Sequence, residues 1–95
     1  MPDSEVKYRS RTDIVASILQ SAAREGGGIG VTRLMYNSFL SYNQVTQYVK
    51  VIKENGLLNY DASTGKYTIS AKGSKYLELH SKMDKMLKGD GNNAI

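Results

Sequence analysis

Apolar residues recur at three- and four-residue intervals in the first quarter of the chain, which is typical of a helix with one buried face. Ser10 followed by Asp13 forms a capping-box-like start, and the three glycines after Glu25 end the pattern. A first helix from about Arg11 to about Arg24 is therefore predicted. Its buried face comprises Ile14, Val15, Ile18, Leu19 and Ala22.

The most informative pattern runs from Thr32 to Gly56 and predicts two short helices joined by a tight turn. Thr32 is a candidate N-cap of the first of these helices. Ser41 and Gln44 form an S-x-x-Q capping box that opens the second, and Gly56 supplies the glycine that commonly closes a helix. The segment therefore resembles a helix-turn-helix.

The second helix of this pair has an apolar stripe and a short polar and basic outer face. Amide side chains can pair with adenine edges, a threonine methyl can contact a thymine methyl, and a lysine can reach guanine or a phosphate. An ordinary amphipathic helix with a solvated outer face has the same pattern, so the flanking segments must decide between the two interpretations. The stripe is Val45, Tyr48, Val49 and Ile52, and the outer face is Asn43, Thr46, Gln47 and Lys50.

Two short strands follow this helix, separated by a turn that contains Gly65. Their apolar residues alternate with polar ones, as in a half-buried hairpin. A hairpin after a recognition helix would be a wing, with Ser63, Thr64 and Lys66 near its tip suited to backbone or minor-groove contact. Taken alone, the hairpin could equally be edge structure without a ligand. The predicted fold is α+β, a winged helix-turn-helix with a three-helix core, a β-hairpin wing and a C-terminal dimerisation helix.

The last predicted helix extends from Ser70, its N-cap, to about Lys88 and has two apolar faces. Leu77 can face the domain, while a second stripe is spaced almost like a coiled-coil seam. A second copy of the chain is the simplest cover for that stripe, and packing against the first helix of the same domain is the alternative. We expect His80 to be a packed or hydrogen-bonded interface residue. The stripe is Tyr76, Leu79, His80, Met83, Met86 and Leu87.

The chain is expected to divide into four parts. Residues 1–10 form a flexible arm, 11–70 the winged helix-turn-helix domain, 71–88 the C-terminal helix and 89–95 a disordered tail without core-forming residues.

Composition excludes several classes of function. The 95 residues contain no cysteine and one histidine, His80, so neither a thiolate metal site nor a convincing catalytic set can be assembled, and no cofactor is expected. No apolar run is long enough to span a membrane and no secretory signal is recognisable, so we expect a cytoplasmic, nucleoid-associated protein. The net charge of +4 suits double-stranded DNA as the partner without requiring it.

Several segments together resemble the small archaeal winged-helix DNA-binding proteins of the Sulfolobus ten-kilodalton type and the related archaellum-regulator-like domains. The resemblance covers about residues 12 to 80. It implies a helix in the major groove and a dimer paired through C-terminal helices, although the C-terminal helix is shorter here. The matching segments are residues 32–36, 40–42, 48–50, 56–58 and 67–73, with Leu77.

Carried over residue by residue, the resemblance assigns backbone contacts to Thr32 and Arg33 and wing contacts to Thr64 and Lys66. Tyr36, Leu40 and Tyr48 also match, at positions interpreted as core. The reading surface would be Ser41, Tyr42, Asn43, Gln44, Thr46, Gln47 and Lys50.

The function that fits these observations is a non-enzymatic DNA-binding protein, either a transcriptional regulator or a chromatin-associated protein. The alternative is a winged-helix protein-protein interaction module without DNA binding, since fold does not fix function.

Overall fold

The structure is a computed structural model that describes residues 9–89. Residues 1–8 and 90–95, which hold most of the predicted arm and tail, lie outside the described residues. Four helices and one hairpin follow one another, which confirms the predicted α+β arrangement. The elements are α1 (Arg11–Arg24), α2 (Val31–Ser38), α3 (Tyr42–Glu54), β1 (Leu58–Asp61), β2 (Lys66–Ile69), α4 (Ala71–Asp84) and a π-helical segment, Lys85–Gly89.

One apolar core joins α1, α2, α3 and the base of the hairpin. The predicted faces of α1 and α3 both point into it, and Ile14, Val15 and Tyr48 pack around its margin. Burial of each large aliphatic side chain contributes about 1.5–3 kcal/mol to folding. The core residues are Ile18, Leu19, Ala22, Ile29, Leu34, Val45, Val49, Ile52 and Leu58.

The capping signals of α1 and α3 form as the sequence predicts. The Ser10 hydroxyl accepts the Asp13 backbone N–H at 3.1 Å. At α3 the capping box is complete, because Ser41 accepts the Gln44 N–H and Gln44 Oε1 accepts the Ser41 N–H. At the other end of α3, Gly56 has φ 78, and its N–H donates to the Lys53 carbonyl in a left-handed turn that glycine tolerates without strain.

Helix α2 begins earlier than predicted. Its N-cap is Gly30 and not Thr32, which is the second residue of the helix. The reason lies in Ile29, whose N–H and C=O both pair with Tyr67 at 2.9 and 2.8 Å. This bridge holds the chain extended up to Gly30, so helical geometry starts directly afterwards. The bridge was not predicted from the sequence, and it adds an isolated third segment to the hairpin.

The end of α2 carries a backbone feature that the sequence does not signal. Phe39 has φ 57, in the left-handed region, and its side chain is 87% exposed. The N–H groups of Phe39 and Leu40 bond back to the last turn of α2, which stabilises this conformation. A residue with a Cβ pays roughly 1–2 kcal/mol there.

The hairpin and its alternating pattern form as predicted. Leu58 pairs with Ile69 and Tyr60 with Tyr67, so these four side chains share one face of the hairpin. Leu58, Tyr67 and Ile69 pack in or against the core, while Tyr60 is 45% exposed. The two tyrosine rings lie 4.8 Å apart between centroids.

Helix α4 is anchored at its start and more exposed toward its end. The Ser70 hydroxyl caps it by accepting the Gly73 N–H and donates to the Gly56 carbonyl at 2.6 Å. Gly73 is buried where a Cβ would overlap the Leu57 carbonyl, so close approach requires glycine. Helical structure continues to Gly89, close to the predicted end at about Lys88, but the α-helix ends at Asp84 and the last five residues form a π-helical turn.

Candidate nucleic-acid interface

The outer face of α3 carries the side chains predicted to read DNA. Asn43, Gln47 and Lys50 are exposed, and within residues 9–89 none of them makes a side-chain hydrogen bond or ion pair. Thr46 is half-buried and donates its hydroxyl to the Asn43 carbonyl at 3.0 Å. Glu54 is the first acidic residue of α3 and lies one turn beyond Lys50. The stretch from Asn43 to Lys50 therefore presents uncommitted amides and an ammonium group.

The remaining predicted readers lie at the start of α3 and are partly engaged. Ser41 and Gln44 are exposed, but each gives one acceptor to the capping box. The amide NH₂ group of Gln44 stays available to a ligand. Tyr42 is 57% exposed at the first position of the helix. The capping box thus fixes the entry angle of α3 and holds this end of the helix in place.

The wing tip is shaped by Asp61. Its carboxylate accepts the Ser63 N–H and hydroxyl at 2.9 and 2.7 Å, and these bonds hold the pKa of Asp61 below its ordinary value. Thr64 uses its hydroxyl within the same turn, where it accepts the Lys66 N–H at 3.3 Å. The Lys66 ammonium group is exposed and has no ion-pair partner in the described part of the chain. The tip thus presents the ammonium group of Lys66 to solvent, on a turn held by side-chain hydrogen bonds.

A contact near the tip end of the hairpin places the wing along one side of α3. The Lys53 ammonium group lies 5.5 Å from the centroid of the Tyr60 ring, a cation–π contact. Tyr67, opposite Tyr60, is half-buried, and burial raises the pKa of its phenol. Wing and helix therefore present one continuous surface.

Thr32 and Arg33 are exposed near the start of α2, as predicted for backbone contacts, but Arg33 is not an open cation. Its guanidinium donates to Glu25 Oε2 at 2.8 Å, in an ion pair whose arginine side chain is 65% exposed. A phosphate would therefore have to compete with Glu25 for the Arg33 guanidinium. The sequence gives little sign of this pairing, because residues 26 to 53 contain no acidic residue and Glu25 lies just before that stretch.

Tyr36 is not a core residue, contrary to the sequence interpretation. It is 69% exposed, while Leu40 and Tyr48 do pack against the core. The buried positions of α2 are Leu34 and Ser38, and a residue midway between them points to the other side of the helix.

The predicted dimer stripe of α4 is divided in the structure. Tyr76 and His80 are half-buried against α1, where the Tyr76 hydroxyl lies 3.4 Å from the Thr12 carbonyl oxygen and His80 Nε2 lies 3.0 Å from Asp13 Oδ1. An apolar hollow of about 220 Å³ opens beside them. The other four residues are exposed, namely Leu79 at 48%, Met83 at 61%, and Met86 and Leu87 at 84% each.

The contact of His80 with Asp13 is structural in character. It lies in a polar groove between α1 and α4 and lowers the pKa of Asp13, as does a bond from Ser10. No group of three or more histidine and acidic side chains within residues 9–89 could hold a metal ion.

Comparison with known proteins identifies the family. The chain matches the winged helix-turn-helix family over residues 8–88, and it therefore belongs to that family. No curated protein matches the sequence at a significant level. Among the described residues, no helix has the length and apolar character needed to cross a membrane.

Proposed function

We propose that this protein binds double-stranded DNA by placing the outer face of α3 in the major groove. The observation that carries the proposal is that Asn43, Gln47 and Lys50 stand exposed and unengaged on the second helix of a helix-turn-helix. A helix about 10–12 Å across fits a groove about 12 Å wide, and such side chains can pair with base edges.

In this arrangement the flanking residues bind the sugar-phosphate backbone. Lys66 and Thr64 approach it from the wing, and Thr32 and Arg33 from the start of α2. The Arg33 guanidinium donates to a phosphate in place of its hydrogen bond to Glu25. Ser41, Tyr42, Gln44 and Thr46 complete the surface around the base-reading residues.

The biological role that follows is that of a non-enzymatic transcriptional regulator or chromatin-associated protein of the nucleoid, in the cytoplasm. The uncommitted amides of Asn43 and Gln47 favour some reading of sequence. The small domain and the modest net charge of +4 favour loosely specific binding.

The chain is also proposed to form a homodimer through α4. The support is the exposed apolar surface of Leu79, Met83, Met86 and Leu87, which a single domain leaves in water. Tyr76 and His80 would border the interface from their positions against α1. Two linked domains would then bind two half-sites with a gain in effective concentration.

A protein-interaction module is the second candidate, and a specific observation favours it. Tyr36 and Phe39 expose 69% and 87% of their surfaces at the end of α2, although they are not among the proposed DNA contacts. Exposed aromatic residues are enriched at protein-protein interfaces.

Titration of the purified protein against random and selected duplexes at several salt concentrations separates the two candidates. DNA binding predicts an observed affinity that falls steeply with salt, with a slope set by the number of phosphates contacted. Absence of binding to any duplex at about 50 mM salt would overturn the DNA proposal and leave the interaction module.

A further inference from the structure

A hollow of about 390 Å³ lies between the start of α1 and one side of α3. It is lined by Arg11, Gln47, Tyr48 and Val51. Gln47 belongs to the proposed reading face, so the hollow adjoins it. Arg11 is the first residue of α1 and is exposed. The hollow thus combines a guanidinium and an amide with the surfaces of an aromatic ring and an aliphatic side chain.

This hollow and the wing occupy opposite sides of α3. Lys53, which contacts Tyr60 of the wing, and Val51, which lines the hollow, are two positions apart. At 3.6 residues per turn they lie about 160° apart around the helix axis. The outer face with Asn43 and Lys50 lies between them.

The position of Arg11, at the first residue of α1, is unfavourable for the stability of the fold. A positive charge in the first turn of a helix opposes the helix dipole, at a cost of about 0.3–1 kcal/mol. Arg11 makes no ion pair or side-chain hydrogen bond within residues 9–89 to offset this. Arg9, two positions earlier, donates to the Ser38 carbonyl at 2.6 Å and so has a structural use.

We propose that Arg11 binds a DNA phosphate on the backbone strand opposite the wing, with the hollow holding the adjoining sugar. This inference rests on the proposed major-groove binding by α3. A helix that fills the major groove meets a sugar-phosphate wall on each side. Lys66 and the rest of the wing contact the sugar-phosphate backbone on one side of the groove, and Arg11 contacts the backbone on the other side. The apolar surfaces of Tyr48 and Val51 suit a deoxyribose.

The test is the salt dependence of DNA binding by wild type and Arg11→Gln. Loss of one phosphate contact lowers the slope of log affinity against log salt by about 0.9. The corresponding loss of affinity is about 8-fold near 0.1 M salt, equal for random and preferred duplexes. The thermal midpoint should stay unchanged or rise, because the substitution removes an unfavourable charge from the helix start.

Arg24→Gln is the matched control, because it removes the same charge from the exposed far end of the same helix. It should leave the slope unchanged, and Arg11→Lys should retain most of the wild-type slope. An unaltered slope in Arg11→Gln, or an equal fall in Arg24→Gln, would overturn the proposal while DNA binding itself stands. Failure of the wild type to bind any duplex would overturn both.

Discussion

Helix α3 and the C-terminal end of the described chain, residues 79–87, expose surfaces of different chemistry. On α3 the apolar stripe is buried, with Val45, Val49 and Ile52 at 3% exposure or less, and the outer face is polar. At the end of α4 and in the π-helical segment that follows it, apolar residues are outside, with Met83 at 61% and Met86 and Leu87 at 84%.

Polar and apolar surfaces gain free energy from contact with different kinds of surface. A polar, partly basic face stays hydrated until it exchanges water for another polar surface, as a DNA groove provides. An apolar face gains free energy only when another apolar surface covers it. This difference supports the proposed roles, in which α3 contacts DNA and the C-terminal apolar stripe contacts a second copy of the chain.

The largest expected effect comes from a charge placed in the α4 stripe. Met83→Glu should weaken self-association by roughly 3–5 kcal/mol, because an unpaired carboxylate would be buried in the interface. Equilibrium sedimentation over a range of concentrations measures this change. Ser81→Glu is the control, since it adds the same charge two positions away. A wild type that stays monomeric at about 100 μM, well above a micromolar Kd, would contradict the dimer.

Truncation of one aliphatic side chain in α3 and one at the C-terminal end of the described chain compares how much each region contributes to stability. Ile52→Ala should lower the free energy of unfolding by about 2–5 kcal/mol, because it opens a cavity in the core. Leu87→Ala should change it by less than about 0.5 kcal/mol in a monomer. Urea denaturation at low protein concentration measures both. Equal losses would show that the end of α4 is buried in the monomer.

The outer face of α3 can be tested for base reading with Gln47→Ala. The loss should be about 1–3 kcal/mol on a preferred site and small on random DNA, because a contact with a base edge carries discrimination. Gln20→Ala, at an exposed position of α1, serves as the control. Equal weakening on all sequences would argue that Gln47 contacts only the backbone.

The smallest expected effect concerns the junction of α1 with α4. The hydrogen bond from His80 lowers the pKa of Asp13, so its contribution to stability is present above about pH 4 and is lost as the pH falls through the lower folded pKa. With Asp13 half exposed, that contribution is below about 1 kcal/mol.

Thermal unfolding of wild type and Asp13→Asn from pH 7 to pH 2 tests this contribution. The advantage of the wild type should shrink only below about pH 4. A constant difference across the range would show that the carboxylate charge does not contribute.

Local signals in the sequence predicted most of the fold. Ser10, Ser41 and Ser70 cap helices through bonds that span three residues, so short segments contain the whole signal. Alternation in the hairpin likewise predicted the face shared by Leu58 and Tyr60. Contacts between distant residues carry no such signal. The bridge between Ile29 and Tyr67, which moved the start of α2, depends on where the hairpin packs.

The candidate site was predictable in its residue types but not in its electrostatics. The polar face of α3 follows from helical periodicity, and Asn43, Gln47 and Lys50 are exposed as expected. The sequence does not show which arginine side chain lacks an ion-pair partner within residues 9–89. Arg33 is paired with Glu25, while Arg11 lies unpaired beside Gln47, and both facts require the packing of α1 against the other helices.

The bridge between Ile29 and Tyr67 also has a consequence for the order of folding. It closes a loop of chain that contains α2, α3 and the hairpin turn, and the two ends of that loop are joined by two hydrogen bonds. The entropic cost of closing such a loop is offset only by the contacts made when the hairpin has formed and docked. The helix pair and the wing should therefore become structured in one kinetic step.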